Sequence, residues 1–298
     1  MVAAWHVRRV TGRVRERLPD GVVNGARQAA RGWGWLTADL RMCPALVIVG
    51  AQRCGTTTLY RLLSEHPSVV RPTMSKGIGY FDVNYSRGSR WYRGHFPIAL
   101  AASVRRRGDH GPLTFESSGY YCYHPLAGRR LGDDLPGVRL VMMVRDPVER
   151  AYSAYKHETA RGFETETFER ALELEPQRLV GEVERILAEP GYESHHHRHH
   201  SYVARGEYAD QIVRLREAVG RDHVYVMDAD YFFADPRREY AALTDWLGMP
   251  RSEPTRIEHW NARPGSPMAS EVRERLVAHF APHDEALAAL TGRSPSWR

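Results

Sequence analysis

Nine consecutive residues, Gly50-Ala51-Gln52-Arg53-Cys54-Gly55-Thr56-Thr57-Thr58, combine glycines, hydroxyls and one guanidinium in a pattern suited to gripping a phosphate. Glycine lets the backbone approach an anion closely, and the amides of Gly55 to Thr58, opening a helix, would point at it. Arg53 adds charge, and the Thr56 and Thr57 hydroxyls add hydrogen bonds. The pattern is close to the Walker A loop, G-x-x-x-x-G-K-[ST], but Thr56 stands where the lysine belongs and Arg53 sits inside the loop. A nucleoside triphosphatase needs that lysine on the β- and γ-phosphates and a hydroxyl on Mg²⁺. The loop here fits a ligand held by a 5'-phosphate from which another group departs, and that chemistry needs a cation and no metal.

A second constellation runs from Arg139 to Tyr155. An apolar strand ends in Arg145, and Asp146-Pro147 turns the chain into a helix carrying Ser153 about two turns in. Arg145 and Ser153 can converge on one anion at the carboxyl edge of a sheet, where open α/β sheets bind ligands. The structural alternative is an Arg145 to Asp146 pairing.

Positioning these residues requires strands that feed helices. Short apolar runs alternate with helical patterns, which predicts α/β: a P-loop-type single domain with a mostly parallel central sheet flanked by helices. Expected strands are Ala45 to Val49, Leu113 to Glu116, Arg139 to Val144 and His223 to Met227. Expected helices are Thr56 to His66, Pro147 to Ala160, Phe168 to Ala188, Tyr202 to Val219, Pro236 to Leu247 and Ser270 to Leu290. The 298 residues divide into a basic N-terminal arm, 1–42, and a P-loop domain, 43–298. The arm holds eight arginines against Glu16, Asp20 and Asp39, a net +5 out of +6 for the chain, together with Trp5, Trp33 and Trp35. Such a segment suits either peripheral contact with an anionic membrane or a helical lid packed on the domain.

Lys76 and Lys156 are the only lysines, an arginine bias that suits a GC-rich bacterial genome. Cys43, Cys54 and Cys122 have neither disulfide-framework nor zinc-site spacing, and no secretory signal is read, so a reducing cytoplasm is expected. No run approaches the ~18 apolar residues of a membrane span. Nucleic acid is not expected as a partner, because the basic residues outside the arm lack interleaved aromatics. His195 to His200, broken by Arg198, reads as a solvated loop in preference to a metal site, since consecutive loop histidines lack fixed ligand geometry.

Together the two constellations resemble the sulfotransferases that use 3'-phosphoadenosine-5'-phosphosulfate (PAPS), and most closely the branch with the heparan sulfate sulfotransferases and their bacterial relatives. The resemblance extends from about Pro44 to Gly292 and includes His66-Pro67, Tyr80-Phe81-Asp82, the Ser201 to Tyr208 segment and Asp235-Pro236. It implies that Arg53, Cys54, Gly55, Thr56, Thr57 and Thr58 hold the 5'-phosphosulfate, and that Arg145 and Ser153 hold the 3'-phosphate. It also implies a covering loop, here Trp260 to Pro267, in which Arg263 reaches the 3'-phosphate, although the family's tyrosine near Ser266 is absent. The implied reaction moves a sulfuryl group to a hydroxyl or amine of a small-molecule, carbohydrate or lipid-linked acceptor, with Arg53 stabilising the leaving phosphate and no metal taking part.

Three departures bear on mechanism. Arg53 replaces the usual loop lysine and so trades a point cation for a planar fork. Gly77 occupies the position of the catalytic glutamate, and Ser117 that of the lysine in a later Glu-Lys pattern. A replacement base is sought first in His157, one turn beyond Ser153, and in Glu116, at the end of a strand; His124, Glu158 and self-activation by the substrate follow. A binding protein that kept the cofactor site and lost catalysis is the alternative, and a P-loop kinase is the next.

Overall fold

The computed structural model describes residues 20–72, 75–103, 111–189, 191–252 and 267–298. Strands β1 (Leu46–Gly50), β2 (Phe115–Ser117), β3 (Arg139–Val144) and β4 (Val224–Asp228) form a parallel sheet in the order β2-β1-β3-β4. β1 is buried at all five positions and β3 at every position after Arg139. Strands covered on both faces read as unbroken apolar runs, which is why both were legible in the sequence. Three of the four expected strands shift by one or two residues, and Arg139–Val144 is observed as expected.

The flanking helices are α1 (Asp20–Leu36), α2 (Thr56–Glu65), α3 (Ser89–Arg93), α4 (Ala99–Ser103), α5 (Ala127–Asp134), α6 (Pro147–Ala160) and α7 (Phe168–Leu179). They continue with α8 (Glu182–Ala188), α9 (His195–His199), α10 (Tyr208–Val219), α11 (Ala229–Ala234), α12 (Pro236–Trp246) and α13 (Ser270–Thr291). The main core packs β1 and β3 against Leu59, Leu62 and Leu63 of α2 and Ile212 and Leu215 of α10. A second cluster joins Val148, Ala151 and Ala154 of α6 to Phe168, Tyr202 and Phe280.

Two expected helices are corrected. Phe168 to Ala188 divides at Gly181, whose φ of 75° suits glycine, giving α7 and α8. The helix expected from Tyr202 begins at Tyr208, because the amides of Tyr202, Val203 and Ala204 donate to the buried Glu175 carboxylate at 2.8 to 2.9 Å. That carboxylate supplies three acceptor contacts that a helix could not offer its first amides.

The end of α1 and residues 37–42 pack on the domain, with the Gly34 and Gly94 backbones in close approach. Beyond α1, Asp39 pairs with Arg90 of α3 at 2.5 Å, and the buried Arg41 donates through Nε to Thr37 at 2.8 Å. Trp33, Trp35, Leu36 and Leu40 remain exposed. No helix among the described residues is long and apolar enough to cross a membrane.

Candidate active site

The phosphate loop is tied to the sheet before it turns. The Ala51 amide donates to the Met143 carbonyl of β3 at 2.8 Å, and the Cys54 amide closes back on Ala51 at 3.2 Å. Arg53 has φ +74° and Gly55 φ +86°, so the chain passes twice through the left-handed region before α2 begins. Such a conformation is uncommon and costly for a residue with a side chain, and it clusters at ligand sites. The Cys54 thiol turns into the core, where burial pushes it up to about 11, which leaves only its backbone for a ligand. Thr58 is also buried, with its amide donating to Gly55 at 2.9 Å.

Two side chains from distant segments complete the loop. Arg53 Nε donates to Ser153 Oγ at 3.0 Å, so the residues expected at opposite ends of the nucleotide meet directly. Lys76 Nζ donates to Thr57 Oγ1 at 3.0 Å and to Thr56 Oγ1 at 3.3 Å. Burial, and then the charge of Arg61, lower the Lys76 ammonium to about 8. A lysine missing from the loop sequence is thus supplied in space. Sequence reasoning passed over Lys76, although its rarity in an arginine-rich chain and its place beside Gly77 were signals.

Gln52 braces the loop from below. Its Nε2 donates to Glu158 Oε1 at 3.0 Å, and its Oε1 accepts from Arg205 at 2.7 Å. Glu158 also accepts from His199 at 2.9 Å and Arg161 at 3.3 Å. Burial pushes the Glu158 carboxyl upward, but the His199 hydrogen bond and the nearby positive charges outweigh it and leave it below the usual range.

The His195 to His200 run is therefore not the solvated loop expected. Capped by Ser194, it forms α9 and turns His197 and His199 inward. His197 stacks on Tyr123 at 4.2 Å and shares a 2.6 Å hydrogen bond with the Tyr120 hydroxyl, while His199 stacks on Phe163 at 4.0 Å. Burial pushes His197 down to about 2, so it stays neutral. Aromatic partners from two other segments make this tract a brace.

β3 delivers Arg145 to the same edge. Asp146 caps α6, accepting from the Val148 amide at 2.9 Å with Pro147 in the first turn. Its carboxylate is thus engaged in capping. The Arg145 carbonyl accepts from the Tyr208 hydroxyl at 2.8 Å. Burial raises the nearby Asp230 carboxyl, and the charge of Arg145 opposes that rise. Ser153 and His157 lie one turn apart on α6 and share a face.

The neighbouring segment 75–79 runs beside the end of β2. The Ser117 amide donates to the Lys76 carbonyl at 3.0 Å, Ile78 to Glu116 Oε2 at 3.1 Å and Gly79 to Ser118 Oγ at 3.2 Å. A Cβ on Gly77 would lie 2.7 Å from the Ser117 carbonyl oxygen, so the backbone here approaches too closely for a side chain. Glu116 is fully buried and accepts additionally from Tyr92, Ser118 and Tyr121 at 2.9 to 3.1 Å. Burial raises it to about 7, against the downward pull of those bonds. His124 is pushed down to about 3 by burial and by Arg130. Arg263 and the rest of 253–266 lie outside the described residues.

Residues 44–265 match the model of a family described as the sulfotransferase domain. The chain is 25% identical over 281 residues to heparan sulfate glucosamine 3-O-sulfotransferase 6 of Mus musculus, covering 86% of this chain and 74% of that protein. It is 34% identical over 124 residues to bifunctional heparan sulfate N-deacetylase/N-sulfotransferase 2 of Homo sapiens, covering 40% of this chain and only 13% of that much longer protein. Among solved structures, a sulfotransferase from Alicyclobacillus acidocaldarius superposes with a TM-score of 0.60 at 29% identity, covering 86% of this chain and 98% of the other.

Proposed function

The chain belongs to the sulfotransferase domain family, and from that membership we propose that it moves the sulfuryl group of PAPS to a hydroxyl or amine of a small-molecule, carbohydrate or lipid-linked acceptor. The observation that carries this reading is the pair of hydrogen-bonded groups at the start of α2, Lys76 with Thr56 and Thr57, and Arg53 with Ser153. In this reading Lys76, Arg53 and the loop amides hold the 5'-phosphate, and Arg145 with Ser153 holds the 3'-phosphate. The acceptor oxygen or nitrogen attacks sulfur as the bond from sulfur to the 5'-phosphate oxygen breaks. Negative charge then grows on that phosphate, and fixed donors aimed at developing charge typically contribute a factor of about 10²–10³ each.

His157 is the base in this proposal, since it shares the α6 face of Ser153. Glu116, enclosed by four donors, acts as a positioning residue that holds segment 75–79 against β2. The mouse relative's name specifies a heparan sulfate glucosamine, which makes amino sugars the first acceptors to try. The free cysteines suit a cytoplasmic setting, and the basic arm with exposed Trp33, Trp35 and Leu36 suits peripheral contact with an anionic membrane.

A second reading, a nucleotide-binding protein without transfer, is favoured by the closed backbone at Gly77. Incubation with ³⁵S-labelled PAPS and a panel of amino sugars, glycolipids and phenols separates the two. Label in any acceptor supports transfer, whereas tight bisphosphate binding with no labelled product across the panel favours the second reading. Stabilisation by Mg²⁺ and ATP beyond that given by adenosine 3',5'-bisphosphate would sink both.

A further inference from the structure

Three side chains remote in sequence from the phosphate loop converge on one point. His279 and His283 stand one turn apart on α13, so both imidazoles occupy one face. Their Nε2 atoms both approach Glu207 Oε1, at 3.1 and 3.7 Å. The two rings stack with centroids 5.2 Å apart, and one donor atom from each of the three residues lies within 4.8 Å of the others. We infer that Glu207, His279 and His283 bind a divalent transition-metal ion, zinc foremost, which clips α13 to the segment leading into α10.

The distances suit such an ion. Two ligand atoms each about 2.0–2.1 Å from tetrahedral zinc sit about 3.4 Å apart, between the two nitrogen to oxygen separations found here. Neutral imidazole is a borderline donor that suits zinc, two imidazoles with one carboxylate form a known zinc donor set, and three protein ligands leave a position for water. The ligands are also held in place. The turn Ala204–Gly206 ahead of Glu207 hangs from the Glu175 carboxylate, and the Glu207 carbonyl accepts from Gln211 at 3.1 Å. Phe280, next to His279, packs so closely on Gly206 that a Cβ there would lie 2.8 Å from its ring. The side chains of His279, His283 and Glu207 are 42%, 33% and 30% exposed, so an ion can reach them from solvent.

The site is separate from the transfer chemistry but mechanically joined to it. Tyr208 follows Glu207, and its hydroxyl donates to the Arg145 carbonyl at 2.8 Å and lies 3.7 Å from Cys54 Sγ in the phosphate loop. Glu207 and His279 also line a cavity of about 460 Å³ with Leu172, Val203 and Leu276. A metal there fixes one wall of that cavity.

The test is calorimetric titration of ZnCl₂ into the tag-free, EDTA-stripped full chain, with melting temperature read in parallel. The parent should bind one equivalent and melt higher with zinc. His279→Ala with His283→Ala should weaken that binding at least about tenfold, because even groups that only orient metal ligands are worth about 10–100-fold. Glu207→Gln, which keeps the side-chain shape, should weaken it comparably and guards against misfolding of the double variant. His195→Ala with His196→Ala, in the other histidine cluster, should leave the affinity unchanged. The assignment is overturned if the parent binds no zinc, if binding survives both the double variant and Glu207→Gln, or if it disappears with the His195 and His196 variants.

Discussion

The proposed phosphate side and the proposed acceptor side of the site meet at five residues, 75–79, and follow opposite rules. Toward the loop, Lys76 extends an ammonium onto Thr56 and Thr57 and restores in space the lysine that the loop's own sequence lacks. Toward β2, Gly77 presses against the Ser117 carbonyl with no room for a side chain, and the neighbouring carboxylate, Glu116, is closed off by four donors. A cation that stabilises a developing charge can come from any segment, because its effect depends on where the charge sits. A proton acceptor must also be open to the substrate, and that requirement is harder to relocate.

The largest test of this contrast removes the relocated cation. Lys76→Met should lower the transfer rate by about 10²–10³, the usual loss for one preorganised donor, with unchanged circular dichroism. Full activity in that variant would leave Arg53 as the sole cation and dissolve the contrast. Next in size is Arg145→Ala. Hydrogen bonds to charged groups contribute about 1.5–3 kcal/mol, so bisphosphate affinity in calorimetry should fall about 10- to 100-fold. Unchanged affinity would mean that the 3'-phosphate binds elsewhere.

The same contrast explains what was legible in the sequence. β1, β3, α2 and α6 were read to within a residue or two, because apolar period and the Asp146-Pro147 cap are local signals. Arg53 and Arg145 were picked out because each sits at a strand-to-helix turn, and Ser153 because it lies about two turns into the helix that follows Arg145. Lys76 was not, since its role depends on a fold that brings residue 76 to residue 57. The His195 to His200 brace was missed for the same reason: stacking on Tyr123 and Phe163 is tertiary, and nothing within the run announces it. The late start of α10 depends on Glu175, a carboxylate 27 residues from Tyr202.

Gly77→Glu places a carboxylate where the family resemblance implies a catalytic one. With Ser117 O 2.7 Å from the new Cβ, the backbone must move. Overpacking of this kind costs about 1–3 kcal/mol, so the melting temperature should drop and transfer should not improve. A faster enzyme at an unchanged melting temperature would show that the segment can open, and Gly77 would then be a simple loss of the base.

The smallest effect is the most diagnostic of Lys76. Burial and then Arg61 lower its ammonium to about 8, so the charge proposed to grip a phosphate is present at pH 7 and fades as the pH rises through that value. Bisphosphate affinity should therefore decline between pH 7 and 9, by no more than about tenfold per pH unit for one ionisation. The bound anion favours the ammonium and raises its pKa in the complex, and affinity falls between the free value and that raised one. Unfolding is not the cause in this window. The folded value lies below the ordinary 10.5, so between about 8 and 10.5 the unfolded chain holds more protons and this residue's contribution to stability rises with pH. Lys76→Arg, charged throughout, should flatten the profile, and an unchanged slope in that variant would move the titration to another group and remove Lys76 from the phosphate grip.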